Sequence, residues 1–226
     1  MQITVIIPAF NEEKSIGKVV NAIPKNLVQT IIVVNNNSTD DTINVAISAG
    51  AIVLTENRKG YGWACLKGMD YLKNQSPDIV VFLDGDFSDY PEEIIHLIEP
   101  ILNQNMDMVI GSRVLGKREK GSLLPQQRFG NWLATKLIRL FYGAKFTDLG
   151  PFRAIRYDKL IALNMADKTY GWTIEMQIKA AKKKHHFCEV PVRYRKRIGV
   201  SKVSGTIKGT LLAGIKIIFA VFKYRF

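Results

Sequence analysis

Between Ile79 and Pro91 the chain reads IVVFLDGDFSDYP, and no other stretch restricts its fold so strongly. An unbroken apolar run, Ile79 to Leu83, halts at Asp84-Gly85-Asp86. Such a run bounded by turn residues is the pattern of a strand covered on both faces. In open α/β sheets the carboxyl edge of such a strand is where ligands gather. On an extended backbone Asp84 and Asp86 point to one side, and Gly85 lets a ligand approach the chain. Adjacent like charges repel, so the pair makes chemical sense around a divalent cation. Mg2+ and Mn2+ take one or two carboxylates and fill their remaining positions with water and phosphate oxygens. The plain alternative is a solvated Asp-Gly turn.

The rest of the first half repeats the strand-then-helix theme. Strands are expected at Ile3–Ile7, Thr30–Val34 and Ala51–Leu54, with helices over Ser15–Ile23, Asp41–Ala49, Trp63–Leu72 and about Ile94–Leu102. Alternation at this spacing gives βαβ units and a mostly parallel sheet. Right-handed crossovers bring the ends of strands one, two and four to one rim. The loops at Pro8–Glu12, Asn35–Asp41, Arg58–Gly62 and Asp84–Asp89 therefore line one crevice. No GxGxxG follows the first strand and no GxxxxGK[ST] occurs, which disfavours dinucleotide and P-loop chemistry. Further on, a strand at Met108–Ile110 leads into Gly111-Ser112-Arg113, and a helix runs from Gln126 to Tyr142. Thr147–Arg153 forms a tight loop, Trp172–Lys183 a helix with Glu175 in its first turn, and Glu189–Arg195 a strand.

The 226 residues fit one large domain. Cys65 and Cys188 are too few for a disulfide framework and lack metal-site spacing, which points to a reducing compartment. MQITVIIPAF has no basic leader and reads as a first strand, not a signal peptide. Charge is segregated: residues 1–105 carry 7 Lys+Arg and 13 Asp+Glu, whereas residues 106–226 carry 25 and 7. A basic half of this kind implies an anionic partner: a phosphorylated substrate, a membrane surface or a nucleic acid.

With PAFNE, NNNSTDDT, Gly60-Tyr61-Gly62, the Asp84–Asp86 pair, GSR and TDLGPFRAI in this order, residues 3–205 resemble the family-2 glycosyltransferases. Within them the chain is similar to the dolichyl/polyprenyl-phosphate hexosyltransferase branch. The resemblance implies a GT-A fold, a Rossmann-like nucleotide-binding sheet flanked by helices, in a domain spanning 1–205. It further implies an inverting enzyme that uses an NDP-sugar donor with Mg2+ or Mn2+. It places Pro8, Ala9, Asn11 and Glu12 at the nucleoside, Asn35 and Asn36 at base and ribose, and Gly60 and Gly62 in the donor loop. Asp84 and Asp86 become the metal-diphosphate ligands, Arg113 and Arg128 phosphate-facing cations, and Arg197 and Lys202 part of a basic loop that folds over the site. Asn35 stands where a carboxylate is common, and Ser88 where the mannose synthases tend to have Gln; Ser88, Asp89 or water is left as a third metal ligand.

A lipid-phosphate acceptor is already ionised and needs cations rather than a base, whereas a saccharide hydroxyl requires a carboxylate, for which Glu175 is the candidate. The structural alternative for Glu175 is an acid at a helix N-terminus. Asp148 either shapes its own loop or serves the site. Residues 206–226 read as an amphipathic helix with Lys208, Lys216 and Lys223 on one side, suited to a membrane interface, to the protein's own core or to a partner chain. The expectation is a hexosyltransferase acting on polyprenyl phosphate, peripheral on the cytoplasmic membrane face, with no nucleic-acid partner. The rivals are a same-fold transferase acting on a saccharide hydroxyl and a non-catalytic binding module.

Overall fold

The apolar runs of the first half pair with one another, as their continuous burial requires. The computed structural model describes residues 1–199 and 219–224. Its strands β1 (Ile3–Ala9), β2 (Thr30–Asn35), β3 (Ile52–Thr55) and β4 (Ile79–Phe82) pair in parallel, β2 with β3 and β1 with both β2 and β4. With β5 (Met108–Ser112), β6 (Arg153–Arg156) and β7 (Phe187–Pro191) they form one sheet of order β3-β2-β1-β4-β6-β5-β7. β6 is antiparallel to both neighbours, and its first residue, Arg153, faces Phe82 at the carboxyl end of β4.

Helices α1 (Ile16–Ala22), α2 (Thr42–Ser48) and α4 (Ile94–Asn103) cover one face of the sheet. The other face carries α3 (Tyr61–Leu72), α5 (Pro125–Tyr142) and α7 (Trp172–Lys182), with the short α6 (Tyr157–Ala162) at its edge. Alternate strand residues feed the two cores: Val5, Ile7, Val33 and Val81 pack toward α1 and α4, while Ile6, Ile32, Val80 and Phe82 pack toward α3 and α7. All of β1 and β4 is buried, and each such Ile or Val contributes about 1.5–3 kcal/mol. This double cover fixes the rim on which the polar loops sit.

The structure departs from expectation at two elements. The α6 turn of helix was not anticipated. β7 begins at Phe187 and ends at Pro191, two residues before and four before the expected limits. The left-handed Lys184 (φ 55°) releases the chain from α7 early, and the carbonyl of His186 already accepts from the Asp107 N–H at 2.7 Å. Pro191 is tolerated because β7 is an edge strand. Beyond it the chain leaves the sheet and crosses the β4 loop: N–H groups of Arg195 and Ile198 donate to the carbonyls of Ser88 and Asp86, each at 2.9 Å.

Residues 206–218 of the expected C-terminal helix, and Lys202, lie outside the described residues. Residues 219–223 are helical and dock on the protein's own core. Ala220 and Val221 are buried, the Phe222 ring lies 5.3 Å from Phe141, and the Tyr142 hydroxyl donates to the Val221 carbonyl. Among the described residues no helix is long and apolar enough to cross a membrane.

Candidate active site

The carboxyl ends of β1, β2 and β4 enclose a cavity of about 200 Å3 whose wall includes Pro8, Ala9, Glu12, Asn36, Gly60, Tyr61, Asp84, Asp86, Tyr170 and Arg197. The loops converge because side chains sew them together. Asn11, left-handed at φ 55°, donates its N–H to Ser38 Oγ (2.9 Å), and its Oδ1 accepts from the Thr39 N–H (2.8 Å). Asn35 Oδ1 accepts the Ser38 N–H at 3.1 Å, closing a turn of the kind Asn favours. Asn36 holds the third loop: its Nδ2 donates to the carbonyls of Glu56 (3.0 Å) and Arg58 (2.8 Å), and its Oδ1 accepts the Gly60 N–H (2.8 Å). An aspartate there would lack those two donors. Asn36 therefore shapes the crevice from behind.

Gly60 and Gly62 owe their identity to packing that no local pattern reveals. A Cβ on Gly62 would lie 2.0 Å from the Asp167 carbonyl, and one on Gly60 would lie 2.2 Å from that of Lys168. Segment 167–169 is drawn in by hydrogen bonds from the Gly62 and Trp63 N–H groups to Thr169 and Lys168. It carries Tyr170 to the cavity wall.

The acidic pair sits at the base. Asp84 Oδ1 is buried and has no hydrogen-bond partner. Burial, and then the Asp86 charge, push its carboxyl up to about 7. Asp86 is fixed by a turn: its Oδ1 accepts from the Ser88 N–H (2.9 Å) and from the Ser88 hydroxyl. Phe87 between them takes φ 61°, a costly conformation for a bulky residue. Arg195 stabilises it, lying 3.4 Å above the Phe87 ring and donating from Nε to the Phe87 carbonyl at 2.6 Å. Asp89 is buried beside the pair with both carboxylate oxygens unbonded, and burial followed by the Asp84 charge pushes it well above the usual carboxylate range. Among the described residues no three His, Cys, Asp or Glu side chains are arranged to hold an ion. Two carboxylates with a spare buried oxygen fit a hard divalent cation that completes its shell with water and phosphate oxygens.

Arg197 already bridges the acids. Its guanidinium reaches Glu12 Oε1 at 3.0 Å and Asp86 Oδ2 at 3.2 Å, with Nε unbonded. Among the described residues the other expected cations, Arg113 and Arg128, do not line this cavity. Arg113 is taken up by Asp148, donating to it from its backbone N–H, Nε and Nη2 at 2.7–2.8 Å, and it sits 5.1 Å over the Tyr194 ring. Burial opposes the Asp148 charge, but Arg113 outweighs it and holds that carboxyl below its ordinary range. Arg128 lines a separate cavity of about 520 Å3 between α5 and residues 114–125, together with Arg118 and Trp132. Glu175 is not presented to the crevice. Fully buried, it accepts from the Ala166 (2.9 Å) and Asp167 (2.7 Å) N–H groups and pairs with Lys179 at 2.6 Å. The helix-terminus reading of Glu175 is thus the one its geometry matches: it ties the 166–171 loop to α7.

Sequence reasoning missed Tyr61 and Tyr170 in the wall and Arg153 behind it. The Arg153 guanidinium is wholly buried and, among the described residues, bonds only to the carbonyls of Leu149, Gly150 and Thr173, and burial lowers it to about 10, so it stays charged near neutral pH. The TDLGPFRAI motif was its one visible signal.

Comparison with known proteins decides the family. The model of glycosyl transferase family 2 matches residues 4–163. The chain belongs to that family. An uncharacterized glycosyltransferase of Mycobacterium tuberculosis is 34% identical over 93% of this chain and 94% of its own length. The undecaprenyl-phosphate mannosyltransferase of Micrococcus luteus is 27% identical over 95% and 93%. Among solved structures, glucosyl-3-phosphoglycerate synthase from Mycobacterium tuberculosis, crystallised with Mn2+, UDP and glucosyl-3-phosphoglycerate, superposes with a TM-score of 0.76 at 23% identity. It covers 98% of this chain and 79% of that one. The protein is therefore an enzyme of the glycosyltransferase class with a GT-A architecture.

Proposed function

We propose that this glycosyltransferase moves a hexose, with inversion, from an NDP-sugar to a polyprenyl phosphate at the cytoplasmic membrane face, with Mg2+ or Mn2+ at Asp84 and Asp86. The observation that carries the reading is the buried, unbonded Asp84 oxygen next to Asp86 at the carboxyl end of β4. A divalent ion there would offset the charge of the departing diphosphate. Glu12 and Asp86 hold Arg197 in the wall of the same cavity, which places a guanidinium where it would pair with the donor phosphates. Asn11, Asn35 and Asn36 keep the nucleoside loops in register, and the Gly60-to-Gly62 backbone closes the wall.

What the acids are doing favours a phosphate acceptor. A hydroxyl nucleophile needs a base within reach, and Glu175 is spent on backbone N–H groups and Lys179. A phosphate monoester is ionised without help. The cavity holding Arg118 and Arg128 offers it two cations beside apolar Leu123, Phe129 and Trp132. The Micrococcus relative, by its name, acts on undecaprenyl phosphate, in keeping with this reading. The test is transfer of radiolabelled hexose from a panel of NDP-sugars to short-chain polyprenyl phosphate, to saccharides and to water, in Mn2+ and in EDTA. A labelled lipid that forms only with metal supports the proposal. Transfer to saccharides alone, or an EDTA-resistant rate, sinks it.

A further inference from the structure

The solvent side of α5 is unusual for a surface helix. Phe129, Trp132 and Leu140 are 62%, 53% and 73% exposed, and the Phe129 and Trp132 rings lie 5.9 Å apart. At about 100° per residue these three, with the exposed Lys136 and Arg139, fall within an arc of about 100°. The 219–224 segment packs against the C-terminal end of the same helix, at Phe141 and Tyr142, and leaves Phe219 and Phe222 exposed at 60% and 45%. Residues 120–147 contain five Lys or Arg and no Asp or Glu. Monomeric proteins seldom display contiguous apolar surface of this kind without a partner.

We infer that this face of α5 docks on an anionic membrane surface. The charge pattern selects that occupant over a second protein. Lys136 falls within the aromatic stripe, and protein interfaces deplete Lys at their centre, whereas an aromatic and basic face without acids is the signature of a helix lying in the headgroup layer. Trp sits favourably at that depth, and long basic side chains reach up to lipid phosphates from an apolar face. The inference deepens the lipid-acceptor reading and rests on it for its purpose. Docking would turn the Arg118–Arg128 cavity, which shares Phe129 and Trp132 with this face, toward the bilayer that holds the acceptor.

The binding test requires neither donor nor turnover. The full chain is mixed with phosphatidylglycerol vesicles and with phosphatidylcholine vesicles, and binding is read by co-sedimentation and tryptophan emission. Trp172 is buried and Trp63 is sandwiched between Arg58 and Lys168, so Trp132 is the reporter. The expected result is binding to the anionic vesicles with emission shifted to shorter wavelength, the shift vanishing in Trp132→Phe. Lys136→Glu with Arg139→Glu should weaken binding at least about 30-fold. Stabilisation of that variant by UDP with Mn2+, if preserved, shows its donor site intact. Absence of binding overturns the inference. So does binding that leaves Trp132 emission unchanged, which would move attachment elsewhere on the chain, or an emission shift that appears with protein concentration alone, which would make a second copy the occupant. Vesicle binding without any transfer to polyprenyl phosphate would instead sink the acceptor reading and leave the docking face standing.

Discussion

Arg113 and Arg197 each meet a buried carboxylate, yet the two contacts are built differently. Arg113 gives Asp148 three hydrogen bonds, and neither side chain is more than 13% exposed. The pair is finished: both carboxylate oxygens are used, and the 147–150 loop is locked to the end of β5. Arg197, 28% exposed, spreads over two acids at 3.0 and 3.2 Å, keeps Nε unbonded and leaves Asp84 Oδ1 with nothing. One arginine completes a structure; the other leaves buried polar atoms unmatched, as the proposed donor site requires. Residues of the same type are told apart by counting what is left unbonded.

That contrast is open to direct attack. Asp148→Ala strands a buried guanidinium and should cost about 3–5 kcal/mol, read from urea denaturation. A loss below 1 kcal/mol would erase the distinction from the side of Arg113. Asp86→Ala should leave the fold near wild type while lowering metal-dependent transfer on the order of 10²–10³-fold, measured with saturating donor. Gly62→Ala drives a methyl group into the Asp167 carbonyl and should cost about 1–3 kcal/mol in thermal unfolding, with weaker nucleotide binding. Arg197→Ala should change stability by less than about 1 kcal/mol but raise the donor KM. If it unfolds the protein as Asp148→Ala does, Arg197 is structural too.

The smallest effect concerns acid. Since the Asp148 carboxyl is held below its ordinary value of 3.8, its ionised form stabilises the fold above that pH. The contribution disappears as pH falls from 3.8 through the depressed value. Wild-type protein should therefore lose more of its urea resistance below pH 4 than Asp148→Asn, which has already lost the charge. Equal slopes would mean that Arg113 is not holding Asp148 ionised.

How much of this was legible beforehand depends on distance along the chain. β1, β2 and β4 declare themselves because burial on two faces writes an unbroken apolar run, and the turn residues that stop each run sit in the crevice. The acids at 84 and 86 are visible for the same reason. Glu175 keeps two readings in sequence because an acid in a helix's first turn looks alike whether it faces a substrate or the N–H groups of residues 166 and 167. Arg128 was placed with the donor on resemblance, but the phase of α5 turns it to the neighbouring cavity. The identity of Gly62 depends on a carbonyl more than a hundred residues away. Local patterns record which groups want burial, and say little about which distant backbone will arrive to meet them.

The reversed direction of β6 has one more outcome. Had that strand run with its neighbours, Arg153 would have started at the far side of the sheet. Entering where β4 exits, it instead plants a permanent cation under the floor of the crevice, beyond the reach of solvent and of any ligand. Part of the positive potential behind the crevice is thus hard-wired by chain topology and does not depend on Arg197.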